Sequence, residues 1–358
     1  MKIKIHPYTL KFTFDAGTSR GVLREKKNYF IVIDDEHTGR SGIGECGPLV
    51  GLSIDDFNDY HIRLDRLSKT IKQDSLQSIL SHIQEFLDHS IPHEWPAARF
   101  AFETALLDLK YGGVRKITDN PFYDKGTPIS INGLVWMGDA DFMNKQIRNK
   151  INAGFHVIKI KVGAIDFDAE CRLLEMIRRE FGASIEIRLD ANGAFSPKEA
   201  MDKLNSLSQF DIHSIEQPIR AGQWEYMARI CRESPIDIAL DEELIGISNV
   251  EDKQNLLETI SPKFIILKPT LLGGLLASEE WINIAQNLNI GWWLTSALES
   301  NIGLNAIAQY ASYKNVNLPQ GLGTGQLYHN NIPSPLFIEN GSLHYNTKQP
   351  WQLDEFIH

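Results

Sequence analysis

Val157-Ile158-Lys159-Ile160-Lys161 is a short apolar segment that ends in an ionisable group, and the next four strand-like segments do the same. They read Ile185-Glu186-Ile187-Arg188-Leu189-Asp190, Ile212-His213-Ser214-Ile215-Glu216, Ile236-Asp237-Ile238-Ala239-Leu240-Asp241 and Phe264-Ile265-Ile266-Leu267-Lys268. Acids close three consecutive segments, and lysines close the segments on either side. Apolar strands are costly to end in charge unless the charge meets a metal or a substrate.

Outward from this stretch, strand-like starts recur near residues 129, 156, 185, 212, 236, 264, 290 and 317, at steps of 24 to 29 residues. Most gaps hold a helical stretch, as at 169–180, 198–207 and 277–287. Eight βα-type units of even length predict a closed (β/α)8-type barrel, a modified TIM barrel, rather than an open doubly wound sheet. Residues 1–96 read differently. Strands are expected at 2–14, 28–34 and 41–46, with loops at 15–21 and 47–52. A helix is expected after Ser53, with Asp55 and Asp56 in its first turn, and another over 76–87. This predicts an N-terminal α+β capping domain over 1–96, with the tail, about 337–358, returning to it, and a barrel domain over 97–336. The apolar stretch 97–109 reads as a buried helix at their junction.

With 358 residues the chain is long enough for both parts. Its net charge of −10 is spread along the sequence and disfavours partners such as nucleic acid or an anionic membrane. No apolar run is long enough to span a bilayer. Residues 1–6 alternate like a strand and lack a signal peptide's apolar core. Cys46, Cys171 and Cys231 are too scattered for a disulfide framework or a zinc site. A cytoplasmic protein is expected.

In a barrel, catalytic groups gather at the C-terminal ends of the strands, where every one of these ionisable residues falls. Asp190, Glu216 and Asp241 on adjacent strands would repel one another unless a hard cation lay among them. Mg²⁺ is the natural candidate, with Mn²⁺ as the alternative. Solvated loop acids are the bland alternative, and three adjacent strand ends argue against it. Lys159 and Lys161 share a face, so each ammonium is expected to lower the other's pKa toward that of a general base. Lys268 would reach a bound substrate from the opposite side. Arg188 and Asn192 share the parity of Asp190, and structural hydrogen bonding explains either equally well. A divalent metal flanked by lysines suits proton abstraction beside a carboxylate, so the expected partner is a small-molecule carboxylate substrate.

The motifs Lys159-Ile160-Lys161, Asp190-Ala191-Asn192, Glu216-Gln217-Pro218, Asp241-Glu242 and Lys268-Pro269 resemble those of the enolase superfamily, muconate-lactonising subgroup. The resemblance spans essentially the whole chain. It implies metal ligation by Asp190, Glu216 and Asp241, with Lys161 and Lys268 flanking the substrate and Lys159 tuning Lys161. Within the subgroup, the segments 268–274, 295–303 and 321–325 are most similar to the o-succinylbenzoate synthase family of menaquinone biosynthesis. Members dehydrate 2-succinyl-6-hydroxy-2,4-cyclohexadiene-1-carboxylate. The resemblance then implies that Lys161 removes the α-proton and protonates the departing hydroxide. Backbone near Ser296, Leu298, Gly321 and Gly323 would receive the succinyl tail. By its parity with Asp190, Asn192 would face the site, and Arg20 on a cap loop would either meet a substrate carboxylate or be solvated.

An N-succinylamino acid racemase needs the same metal and both lysines, and one protein can perform both reactions. A dipeptide epimerase of this subgroup would carry an Asp-X-Asp pair where Gly321-Leu322-Gly323-Thr324-Gly325 has no acid. A mandelate-racemase-type site would want a histidine near Leu294-Thr295-Ser296-Ala297. A Schiff-base aldolase would not need three adjacent carboxylates. A non-catalytic binding barrel should have lost a ligand or a lysine, and none is missing.

Overall fold

The computed structural model describes residues 1–18, 21–71, 75–163 and 165–357. The N-terminal alternation runs further than its apolar residues suggest. β1 (Lys2–Thr18) and β2 (Gly21–Asp35) pair along a long antiparallel hairpin, and β3 (Arg40–Cys46) joins β2. The register shifts between Lys11 and Ala16, and beyond it the hairpin lies on the barrel, with Phe12 bridging Tyr328 and Gly17 bridging Met137. The expected loop at 15–21 is therefore mostly strand, drawn out by these contacts.

The helix Pro96–Lys110 packs across this sheet. It gives Ala97, Ala101, Phe102 and Ala105 to a core shared with Ile31, Ile33, Leu64 and Leu87, while Phe100 joins the barrel core. Gly44 makes the close approach possible: a Cβ there would lie 2.6 Å from Thr104 Oγ1. Two expected helices differ. Ser53 does not cap the first one, which spans Tyr60–Thr70. Instead Ser53 Oγ accepts from Leu49 N (2.7 Å), and buried Asp55 accepts from Tyr60 OH (2.8 Å) and Ala97 N (3.0 Å). These side chains satisfy a turn, in competition with a helix. The second breaks at His82 (φ −133°, ψ 52°) into Leu76–Ser81 and Ile83–Ser90.

The barrel holds seven parallel strands in chain order: β5 (Gly133–Val135), β6 (Val157–Lys161), β7 (Glu186–Asp190), β8 (Ile212–Glu216), β9 (Ile238–Leu240), β10 (Phe264–Leu267) and β11 (Gly291–Leu294). Their near-continuous apolar runs are what a parallel sheet buried on both faces requires. The eighth position, expected near 317, is reduced to Gln320-Gly321. Gly321 N donates to Leu294 O (2.8 Å) and Asn132 N donates to Gln320 O (2.9 Å), which bridges the two edge strands. Pro319 lacks a donor, so a longer ladder cannot form there. The first strand also moves. β4 (Ile129–Ser130) pairs with β13 (Ser342–Tyr345), which pairs in turn with β12 (Leu336–Glu339). The tail thus divides its contacts: β12 and β13 stay with β4, while Leu353 and Phe356 pack on Phe30 of the N-terminal sheet.

Glu103, on the helix Pro96–Lys110, accepts from Leu275 N (2.7 Å) and Leu276 N (2.9 Å) at the start of the helix Leu275–Asn287. Its carboxylate satisfies two otherwise orphaned donors. Burial pushes its pKa from 4.5 up to about 7. Glu103→Ala should lower stability by about 2–3 kcal/mol in urea unfolding, and Glu103→Gln by less. The folded state holds this proton more tightly than the unfolded chain. Wild-type stability relative to Glu103→Gln should therefore fall as pH rises through the window from 4.5 to about 7.

Candidate active site

The mouth of the barrel encloses a cavity of about 420 Å³. Lys159 and Lys161 of β6, Asp190 at the end of β7, Asn192 just beyond it, and Lys268 after β10 line it. Glu216 ends β8 and Asp241 follows β9, so the three carboxylates stand side by side, each no more than 2 % exposed. Each is paired with lysine. Lys159 meets Asp190 (3.0 Å) and Glu216, Lys161 meets Asp190 (3.2 Å), and Lys268 meets Asp241 and stands 3.6 Å from Glu216. Lys161 also donates to Asn192 Oδ1 (2.7 Å), and Asn192 Nδ2 donates to Glu242 Oε1 (3.0 Å). Asn192 thus belongs to the site. Arg188 does not: it donates to Glu186 and to Pro319 O and lies over Trp293.

Burial, with Asp190 beside it, pushes the Glu216 carboxyl up to about 7. At Asp190 burial also acts upward, but Lys159, Lys161 and Lys268 outweigh it and hold the carboxyl well below the usual range. Asp241 is raised by burial, against the pull of Lys268. The expected lowering of a lysine pKa fails at Lys159. Burial opposes its charge, as does the Lys268 ammonium, but Asp190 and Glu216 outweigh both, and its pKa is raised. Carboxylates, rather than the second lysine, set the balance there.

Among the described residues, no three His, Cys, Asp or Glu side chains are gathered closely enough to hold a metal ion. The donor set nevertheless suits a hard divalent cation. It offers carboxylate oxygens from three adjacent strand ends, and Glu216 Oε1 is buried with no hydrogen-bond partner.

Ser296, Leu298, Gly321 and Gly323 all line the cavity, while Arg20 lies outside the described residues. Two of the expected backbone donors are already used: Ser296 N bonds Gly321 O (3.0 Å), and Gly321 N bonds Leu294 O. Leu298 is held at φ +64°, a strained conformation for a branched side chain, and its carbonyl accepts from Tyr328 OH (2.7 Å). Gln217, also left-handed (φ 41°), receives Asp241 N (3.2 Å) and donates to Glu243 (2.9 Å), which ties the ends of β8 and β9. The sequence reading missed Asn132, Leu134 and Trp136, which line the cavity at alternate positions, and Thr295 and Thr324, which line it as well. Period-two alternation would have found the first three had the first barrel strand been placed correctly.

A parallel barrel with a lysine–carboxylate–lysine row at its strand ends, under a cap sheet, is the plan of the enolase class of enzymes. Residues 143–350 match the family model described as "Enolase C-terminal domain-like". The chain is 45 % identical, over 96 % of its length and 98 % of the relative's, to the o-succinylbenzoate synthase of Desulfotalea psychrophila. The crystal structure of MenC from that organism superposes with a TM-score of 0.87 at 42 % identity, covering 96 % of this chain and 99 % of that one. The L-Ala-D/L-Glu epimerase of Bacillus subtilis is more distant, at 24 % identity over 77 % of this chain and 75 % of its own. The chain belongs to the enolase superfamily, in the family of the o-succinylbenzoate synthases.

Lys159 is the link between two of the three acids. Lys159→Ala should leave a buried carboxylate underpaired and cost about 3–5 kcal/mol in urea unfolding, whereas Thr324→Val, which gives up one neutral hydrogen bond to Ser296 Oγ (2.7 Å), should cost about 1 kcal/mol.

Proposed function

We propose that the protein is a cytoplasmic o-succinylbenzoate synthase of menaquinone biosynthesis. It dehydrates 2-succinyl-6-hydroxy-2,4-cyclohexadiene-1-carboxylate, and it uses Asp190, Glu216 and Asp241 to hold Mg²⁺. The observation that carries this reading is the near-full-length identity to the Desulfotalea synthase, joined to a row in which every lysine and carboxylate is present. A bound divalent cation supplies positive charge beside the ring carboxylate as negative charge builds there.

The rest of the chemistry falls to the chain. Lys161 Nζ, as the free amine, takes the proton from the carbon bearing the carboxylate. The electron pair left behind is held as an enediolate, with the Lys268 ammonium beside it on the other side. The C–O bond to the ring hydroxyl then breaks, and Lys161 returns its proton to the leaving hydroxide on the same face, so water departs and the ring becomes aromatic. Lys159 pairs with Asp190 and Glu216 and holds both in position. Asn192, bridged to Glu242, fixes Lys161 Nζ. The apolar cavity wall, including Leu134, Trp136 and Leu298, excludes water from the base.

Purified protein with Mg²⁺ should form the aromatic product, followed by its ultraviolet absorbance. Lys161→Ala should lower the rate at least about 10³-fold. Millimolar Mg²⁺ should raise the melting temperature, and Glu216→Gln should abolish that shift. Full turnover in the presence of a strong chelator, or in Lys161→Ala, contradicts the proposal. Fast racemisation of N-succinylamino acids with negligible dehydration favours the racemase.

A further inference from the structure

A lysine lies buried where the N-terminal sheet meets the barrel, outside the charge row of the active site. Lys26, on β2, is only 5 % exposed. Among the described residues its ammonium makes one hydrogen bond, to Asn28 Oδ1 (2.9 Å), and no direct ion pair. Gly47 leaves room for it, since a Cβ there would collide with Lys26 Nζ. Two fully buried acids face this charge, Glu45 from the same sheet and Glu299 from the barrel. Burial lowers the Lys26 pKa, while both acids pull the other way. Asn28 links the lysine to the first acid, because its Nδ2 donates to Glu45 Oε1 (2.5 Å).

The bonding around Glu45 demands a carboxylate. Oε1 accepts from Asn28 Nδ2 and Ser300 N (2.8 Å), and Oε2 accepts from Ser300 Oγ (2.6 Å) and Gly303 N (2.9 Å). Two donors on each oxygen fill its lone pairs, so a proton can enter only by displacing one of them. Ser300 caps the helix Asn301–Tyr313, whose N-terminus also favours negative charge. Against this, burial pushes the Glu45 carboxyl up and Glu299 adds to the push, while Lys26 and Ser300 pull it down. The other titratable neighbours, the Cys46 thiol and the Tyr328 phenol, are buried and pushed well above their ordinary range, so they stay neutral. Lys26 is the cation in this balance.

The partners of Glu45 lead to the reacting groups. Ser300 follows Glu299, whose carboxylate takes the hydroxyls of Thr270 (2.5 Å) and Ser296. Thr270 lies two residues after Lys268, and Ser296 lines the cavity. We propose that Lys26 is a positioning residue for the reaction: its ammonium holds Glu45 as a carboxylate, and Glu45, through Ser300 and Glu299, fixes Lys268 and the 296–298 wall. The assignment rests on the proposed function.

The test is Lys26→Met, which keeps the bulk of the side chain and removes its charge. Lys26→Gln, which can still donate to Asn28, is the second variant. Without the ammonium, Glu45 should take up a proton at higher pH than in wild type. Relative to wild type, kcat for dehydration should be down about tenfold near pH ~6.5 in both variants and recover to within about twofold by pH ~9. Hydrogen–deuterium exchange reads the same loop without substrate: protection of the segment 296–303 should fall about tenfold at the lower pH and hold at the higher. A loss of equal size at every pH marks Lys26 as merely structural and overturns the assignment, as does wild-type behaviour throughout. A loss in Lys26→Met that Lys26→Gln escapes overturns the part given to charge. A wild type that does not dehydrate, with the pH-dependent loss of protection intact in the variants, overturns only the proposed reaction.

Discussion

Three carboxylates and three ammonium groups share the mouth of an otherwise apolar barrel; the carboxylates and Lys159 are buried, Lys161 and Lys268 nearly so, and each is paired with the others. Desolvating so many charges is costly, and their mutual pairing offsets that cost. Much of the surrounding structure follows from keeping them in register. Parallel pairing of β6, β7 and β8 sets Lys161, Asp190 and Glu216 level with one another. Gln217 and Asn192 accept left-handed backbone so that the chain can turn away directly after the acids. The strain is local to the site, where the pairing over-determines the geometry.

The barrel and its charge row were legible because both rest on simple periodicities. A parallel strand buried on both faces reads as an apolar run, and a charge at its end stands out against that run. What failed to show were features set by tertiary competition. Ile129-Ser130 has a strand's composition, but which sheet it joins depends on β13, more than 200 residues away in sequence. The eighth strand shrank because of Pro319, and the cap helix began late because Ser53 and Asp55 found partners elsewhere. The polar wall of the cavity was illegible for a related reason. Asn132 and Thr295 are unremarkable in sequence, and only their lack of partners in three dimensions distinguishes them. The pKa balance at Lys159 could not be read from lysine spacing alone, because the carboxylates that decide it come from other strands.

The N-terminal sheet contributes to the site by two routes. The hairpin tip and the 47–52 segment supply Leu23, Leu49 and Leu52 to the cavity wall. Behind them runs a buried polar chain. Lys26 donates to Asn28, Asn28 to Glu45 (2.5 Å), and Glu45 also accepts from Ser300 N (2.8 Å), Ser300 Oγ (2.6 Å) and Gly303 N (2.9 Å). One residue earlier, Glu299 takes the hydroxyls of Thr270 (2.5 Å) and Ser296. The loop bearing Ser296 and Leu298 is therefore anchored from below by the barrel and from the side by the cap.

That anchoring bears on how the chain can be made. Glu45 precedes Ser300 by 255 residues and Gly303 by 258, yet these two supply three of the four hydrogen bonds that its carboxylate accepts among the described residues. Until those arrive, the sheet can form only with a desolvated acid lacking most of its partners, or with that edge still open to water. That edge of the sheet is thus completed only by residues that follow it by more than 250 positions. Contacts of such long sequence separation close late in folding, so this sheet edge depends on the far end of the barrel in a way that a barrel whose units close in order does not.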